Sequence, residues 1–172
     1  MRMIQQMISW LPQLLNGAKI TILLTLCAVS MGLLLSIFLA LGKMSKNKIL
    51  SGICSVYIFF FRGTPLLMQL YFIYFGLPQI NMALTINSRF FAAFLAFSLN
   101  SAAYCSEFIR AAIQSIDRGQ FEASKALGLS KAQTMQLVIF PQSIRRLVPS
   151  VANEFIMVLK DCLLYTSDAA DE

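Results

Sequence analysis

The chain has no histidine. Its absence removes the usual general base and the usual zinc ligand, which excludes His-based catalysis and ordinary zinc sites. There are four cysteines, Cys27, Cys54, Cys105 and Cys162, and no Cys-x-x-Cys pair. The first three fall in apolar runs and read as small buried hydrophobes, not as disulfides or metal ligands. No Gly-x-x-x-x-Gly-Lys-Ser/Thr loop occurs, so this phosphate cradle for ATP is missing. The first residues lack the compact basic region and small-residue cleavage site of a secretory signal. Charge is scarce: 13% of the 172 residues, and four of the eight acids (Asp161, Asp168, Asp171, Glu172) sit in the last twelve positions.

What fills the space is apolar. Hydrophobic residues make up 58% of the chain and mean hydropathy is +0.69. A water-soluble domain of this size needs more polar surface than that, so the composition points to an integral membrane protein. The net charge of +6 comes from basic residues beside apolar spans. No basic stripe with interleaved aromatics lies outside them, which argues against nucleic-acid binding.

An N-terminal segment and four apolar spans can be marked out. Residues 1–16 read as an interfacial helix, with Trp10 at the membrane surface and a turn at Pro12. A first span runs from Ala18 to Gly42, enough for the ~20 residues a crossing helix needs. A second runs from near Ser55 to Leu77, with Pro78 just beyond, and Arg62-Gly-Thr-Pro65 predicts a break or kink within it. Residues 79–87 form a polar turn. A third span extends from Arg89 to about Ile113, and a fourth begins near Leu147 and Pro149 and stops at Lys160-Asp161. The basic residues cluster at 43–48 and 110–146, which puts those loops in the cytoplasm and the N-terminus outside.

The segment 114–146 carries too many charges to cross. Gln120–Leu127 is a run of helix formers, with Gly128 placed to end it. Ser130-x-x-Gln133 has the capping-box pattern for a second helix, which Pro141 is expected to end. Glu122 lies in the first turn of the first helix, and Phe121, Ala123, Ala126 and Leu127 offer an apolar, partly small-residue surface. By these local features alone, the segment could equally be an ordinary helical hairpin.

The spacing of Glu122, Ala123, Ser124, Gly128, Val138, Phe140 and Pro141 resembles the EAA signature of importer permeases of the ATP-binding-cassette superfamily. Ser124, Val138 and Phe140 depart mildly from its usual Ala, Ile and Leu. Phe61-Arg-Gly-Thr-Pro-Leu-Leu67, Gly76-Leu-Pro78, Ser106-Glu-Phe-Ile-Arg110, Gln114-Ser-Ile-Asp-Arg-Gly-Gln120 and Pro141-Gln-Ser-Ile-Arg-Arg146 are similar to the polar amino-acid branch of that family (histidine/glutamine/arginine type). The resemblance covers about residues 14–161.

It implies an all-α transmembrane bundle of the type I importer permease fold, with four of five core helices present over residues 17–161. It also implies a bacterial inner-membrane location, a second permease subunit as homo- or heterodimer, and an extracytoplasmic amino-acid-binding protein. Cytoplasmic ATPase subunits would carry ATP and Mg; this chain would hold no cofactor and catalyse nothing. Glu122, Ala123, Ser124, Gly128 and Pro141 are the implied ATPase-coupling residues. The acidic segment 162–172 does not follow the family pattern and reads as a non-native tail on a fragment.

Arg62, Glu107 and Glu154 are charges within apolar runs, where charge is costly and faces a bundle interior or a cavity. Asn100, Tyr104 and Glu107 share one face of the third span by i, i+4, i+7 spacing. With Glu154 they are the candidate substrate pathway, since an amino acid needs partners of both signs. The alternative is that Glu107 pairs with Arg110, and Glu154 with a neighbouring helix, for assembly alone. A second function remains open: a non-transporting membrane scaffold or inactive fragment that docks a cytoplasmic partner through the same loop.

Overall fold

A computed structural model describes the backbone of residues 2–86 and 88–168, and the side chains of residues 15–86 and 88–163. Met1, Trp10's side chain, Asn87 and the end of the acidic tail lie outside the described residues. The described chain is helical: α1 (Arg2–Lys43), α2 (Lys48–Gly63), α3 (Leu66–Tyr71), α4 (Leu77–Ile80), α5 (Arg89–Gln114), α6 (Arg118–Ala126), α7 (Lys131–Gln133) and α8 (Phe140–Asp168). Two π turns, Phe72–Gly76 and Thr134–Ile139, join α3 to α4 and α7 to α8, and a 3-10 turn covers Met82–Leu84.

Helix α5 is the axle. Ala92, Ala93, Ala96, Ser98, Ser101, Ala102, Ala103, Cys105 and Ser106 are all buried along it. Small residues let backbones approach, and in lipid that close packing replaces the hydrophobic effect as the cohesive force. α1 lies along α5 with its own small residues. A Cβ on Gly32 would sit 2.9 Å from Ser101 Cβ and 3.2 Å from the Ala102 backbone nitrogen. α8, α2 and α3 pack on other sides of α5. The outward faces are apolar: Phe38 is 73% and Phe59 80% exposed. Patches of that kind suit lipid or neighbouring helices, not water. Cys27, expected inside, is exposed on this outer face.

Among the described residues, Leu15–Lys43 is the one helix long and apolar enough to cross a membrane alone. Lys48–Gly63 with Leu66–Ile80 adds a second if that pair counts as one span, but the two halves are bent by 107°. The expected span from Ser55 to Leu77 is therefore corrected to a broken unit that starts at Lys48 and folds back at Thr64-Pro65. The cause is local. Proline forces the residue before it out of the α region, and Thr64 is extended at φ −110°, ψ 143°. α5 and α8 have 26 and 29 residues. They have the length to cross but interleave polar and charged residues with apolar ones.

Other expectations change as well. α1 runs unbroken from Arg2 to Lys43 through Pro12, where a turn was expected. Pro141 does not end a helix and α8 does not wait for Leu147: α8 starts at Phe140 and carries Pro149 inside it. Nor does α8 stop at Lys160-Asp161, since it continues to Asp168 with Cys162 fully buried in the core. Pro78 likewise lies within α4, not beyond a helix end. Each π turn ends two residues before a proline, Pro78 or Pro141. A proline ring collides with the carbonyl four residues back in a regular helix. Those carbonyls belong to Tyr74 and Leu137, both within the widened turns, so the chain loosens where the ring needs room.

Candidate functional site

The break between α2 and α3 forms one wall of a cavity of about 550 Å³. Arg62 through Leu67 line that wall; Phe97, Asn100 and Tyr104 of α5 and Glu154, Val158 and Asp161 of α8 line the others. The volume is within the range of small-molecule sites, and a mostly apolar lining with a few convergent polar groups is their usual composition. Its charged groups are one guanidinium, Arg62, and two carboxylates, Glu154 and Asp161. Glu154 is 5% exposed. The Arg62 guanidinium carbon lies 5.1 Å from the centre of the Tyr104 ring, a cation–π stacking that fixes its approach to the cavity.

Of the four residues assigned to a substrate pathway, this cavity gathers Asn100, Tyr104 and Glu154. Glu107 turns elsewhere. Its Oε1 accepts from Lys43 Nζ at 2.6 Å, its Oε2 from Arg110 at 2.7 Å, and Arg62 comes within 3.9 Å. Glu107 joins the end of α1 to α5 and touches the cavity only through Arg62. The Glu107–Arg110 pair is thus present, made through two guanidinium nitrogens, together with a tie to Lys43 on another helix.

The loop residues form a separate surface. Asp117 caps α6 by accepting from the Gly119 amide at 2.6 Å. At the other end Gly128 adopts φ +76°, the left-handed region that favours glycine. Gly128 N–H donates to Lys125 O and Leu129 N–H to Ser124 O, the paired bonds of a Schellman stop. The expected capping box follows: the Ser130 amide donates to Gln133 Oε1 at 2.9 Å and the Gln133 amide to Ser130 Oγ at 3.3 Å. Ser124 is buried against the protein, donating to Gln120 O, whereas Glu122 and Ala123 are exposed. Leu127 is 80% exposed. Pro141 is exposed in the first turn of α8. Gln142 Nε2 reaches Gln120 Oε1 at 3.2 Å, joining α6 to the start of α8.

Residues 32–166 match the family described as the binding-protein-dependent transport system inner membrane component. The chain belongs to this family. A putative glutamine transport system permease protein of Rickettsia bellii is 42% identical over 163 residues, 92% of this chain and 73% of that one. The arginine transport system permease protein ArtQ of Bacillus subtilis is 42% identical over 156 residues, 91% of this chain and 70% of that one. A crystal structure of an amino acid ABC transporter with histidines superposes at TM-score 0.89 with 42% identity, covering 96% of this chain and 76% of that one. An inward-facing MetNI methionine ABC transporter shares the fold at TM-score 0.65 and 20% identity, covering 85% and 69%.

The chain is thus a permease, a membrane transport component with the type I ABC importer fold. The matched region runs five residues into the acidic segment that begins at Cys162. Two polar residues, one lining the cavity and one behind its wall, are not singled out by the sequence. Asp161, which in the sequence reads as the end of a span, lines the cavity. Gln69 was passed over in an apolar run, although a lone amide among Leu66, Leu67, Met68, Leu70 and Tyr71 needs partners when buried, and that was the available signal.

Proposed function

We propose that this permease moves polar amino acids into the cytoplasm, with its N-terminus outside. The cavity is the observation that carries this reading. It sets Arg62 against Glu154 and Asp161 in one apolar chamber, offering a cation to a carboxylate and anions to an ammonium. Asn100 and Tyr104 add neutral polar contacts at the α5 wall. The relatives named for glutamine and arginine transport support the same solute class.

ATP hydrolysis is assigned to cytoplasmic ATPase subunits that bind the exposed face of α6, with Glu122 and Ala123 on that face and Ser124, Gly128 and Pro141 holding its shape. A second permease subunit and an extracytoplasmic binding protein complete the assembly. Movement of α6 reaches α8 through the π turn and the Gln120–Gln142 contact, and α8 carries Glu154 and Asp161. A rigid lever at one end thus alters the cavity at the other.

The test is ATP-driven uptake of labelled polar amino acids by the assembled transporter in proteoliposomes. Glu154→Gln should lower apparent affinity for the solute with the complex intact. Unchanged affinity and rate would remove the cavity from the pathway.

A further inference from the structure

Gln69 lies one turn into α3, is 5% exposed and does not line the cavity. It nevertheless holds the cavity's broken wall together. Its Nε2 lies 2.8 Å from Phe61 O, 3.0 Å from Thr64 O and 2.8 Å from Thr64 Oγ1. Thr64 Oγ1 spends its own hydrogen on Phe60 O at 2.8 Å, so toward Gln69 it accepts. The carbonyls can only accept. All three neighbours therefore require the amino end of the Gln69 amide, and Oε1 must point the other way.

That orientation propagates. Gln69 Oε1 accepts from Asn100 Nδ2 at 3.1 Å, and the same Nδ2 donates to Phe61 O at 3.1 Å. An amide nitrogen carries two hydrogens, so Asn100 has both committed. The polar atom of Asn100 left for the cavity is its carbonyl Oδ1.

We infer that Gln69 is a positioning residue that sets the amide polarity of Asn100, so that the cavity presents an acceptor at this point and reads a donor, the solute's ammonium, there. The inference rests on the cavity being the solute site. Without Gln69 the Asn100 amide keeps only the Phe61 carbonyl as an acceptor, its amino group can then turn inward, and the wall tolerates a solute that has no ammonium.

The experiment is equilibrium binding to the transporter complex in lipid nanodiscs. It compares L-arginine with 5-guanidinopentanoic acid, and L-glutamine with glutaramic acid, each pair differing by the α-amino group. Gln69→Leu should reduce the preference for the amino acid about tenfold, the worth of one hydrogen bond. Asn100→Leu added to Gln69→Leu should cost little more, because the two side chains act as one unit. Thr64→Val, which removes one of three acceptors, should shift selectivity the same way by less, and it carries the test if Gln69→Leu does not assemble. Selectivity unchanged in Thr64→Val and Gln69→Leu, or losses that multiply in the double variant, overturn the inference and leave the solute cavity standing. Failure of the wild-type complex to bind any of the four compounds overturns both.

Discussion

Lys43 Nζ lies 2.6 Å from Glu107 Oε1, joining the last residue of α1 to α5 two turns before that helix ends. Arg110 approaches the other carboxylate oxygen at 2.7 Å, and the Glu107 side chain is 12% exposed. One acid thus serves several cations, and the consequences of removing either side differ. Glu107→Gln leaves Lys43, Arg110 and Arg62 facing one another without a counter-charge, at a cost of about 3 kcal/mol. Lys43→Met leaves Glu107 still paired with Arg110 and costs roughly 1 kcal/mol. Thermal unfolding of the purified variants in one detergent checks the order; equal losses would mean that Glu107 does not act as a shared partner.

Gly128 and Glu122 separate shape from contact in the same helix. No atom lies within 4 Å of a Cβ built on Gly128, so substitution there is opposed by backbone strain alone. Gly128→Ala should cost about 1 kcal/mol, Gly128→Asn less, and both should loosen the Schellman stop. Glu122→Ala, on an exposed position, should leave unfolding unchanged and lower ATP-driven uptake. Normal uptake by Glu122→Ala, with the ATPase still bound, would remove the proposed coupling role.

The α1–α5 contact makes a steric prediction. Gly32→Ala pushes its methyl into Ser101 Cβ and the Ala102 backbone, neither of which is a flexible end. Overpacking of that kind costs roughly 1–3 kcal/mol. Gly52→Ala is the control: it sits inside α2 with nothing within 4 Å and should stabilise slightly through helix propensity, by about 0.5–1 kcal/mol. Thermal shifts of opposite sign are expected, and a destabilised Gly52→Ala alongside a neutral Gly32→Ala would contradict this packing.

Pro141→Ala restores a backbone donor and removes the ring that needs room at Leu137. The turn Thr134–Ile139 should then tighten toward regular α-helix, slowing amide exchange across residues 134–141. An exchange profile identical to wild type would show that the proline is not what keeps the turn wide.

Features set by chemistry within a few residues were legible in the sequence. The Gly128 stop and the break at Thr64-Pro65 each follow from one residue's backbone preference, and the Ser130–Gln133 box from two side chains three positions apart. The prolines at 78 and 141 were misread because sequence marks only that a regular helix fails there. It does not say whether the chain ends or widens. Helical spacing placed Asn100, Tyr104 and Glu107 on one face, yet Glu107 does not line the cavity, being held by Arg110 and by Lys43, 64 positions away in sequence. The lone amide of Gln69 in an apolar run signals that it needs partners, but the sequence does not name Asn100, 31 positions away on another helix, as one of them.

The π turn at Thr134–Ile139 also has a consequence for the azimuth of α8. Each residue turns an α-helix by about 100°. The direction in which Glu154 points is therefore set by a backbone irregularity about four turns upstream. Deleting one residue between 143 and 150 would keep α8 helical and on its axis but bring Phe155 to the place of Glu154. The acid on that wall of the chamber would become a phenyl ring, through a change of phase alone.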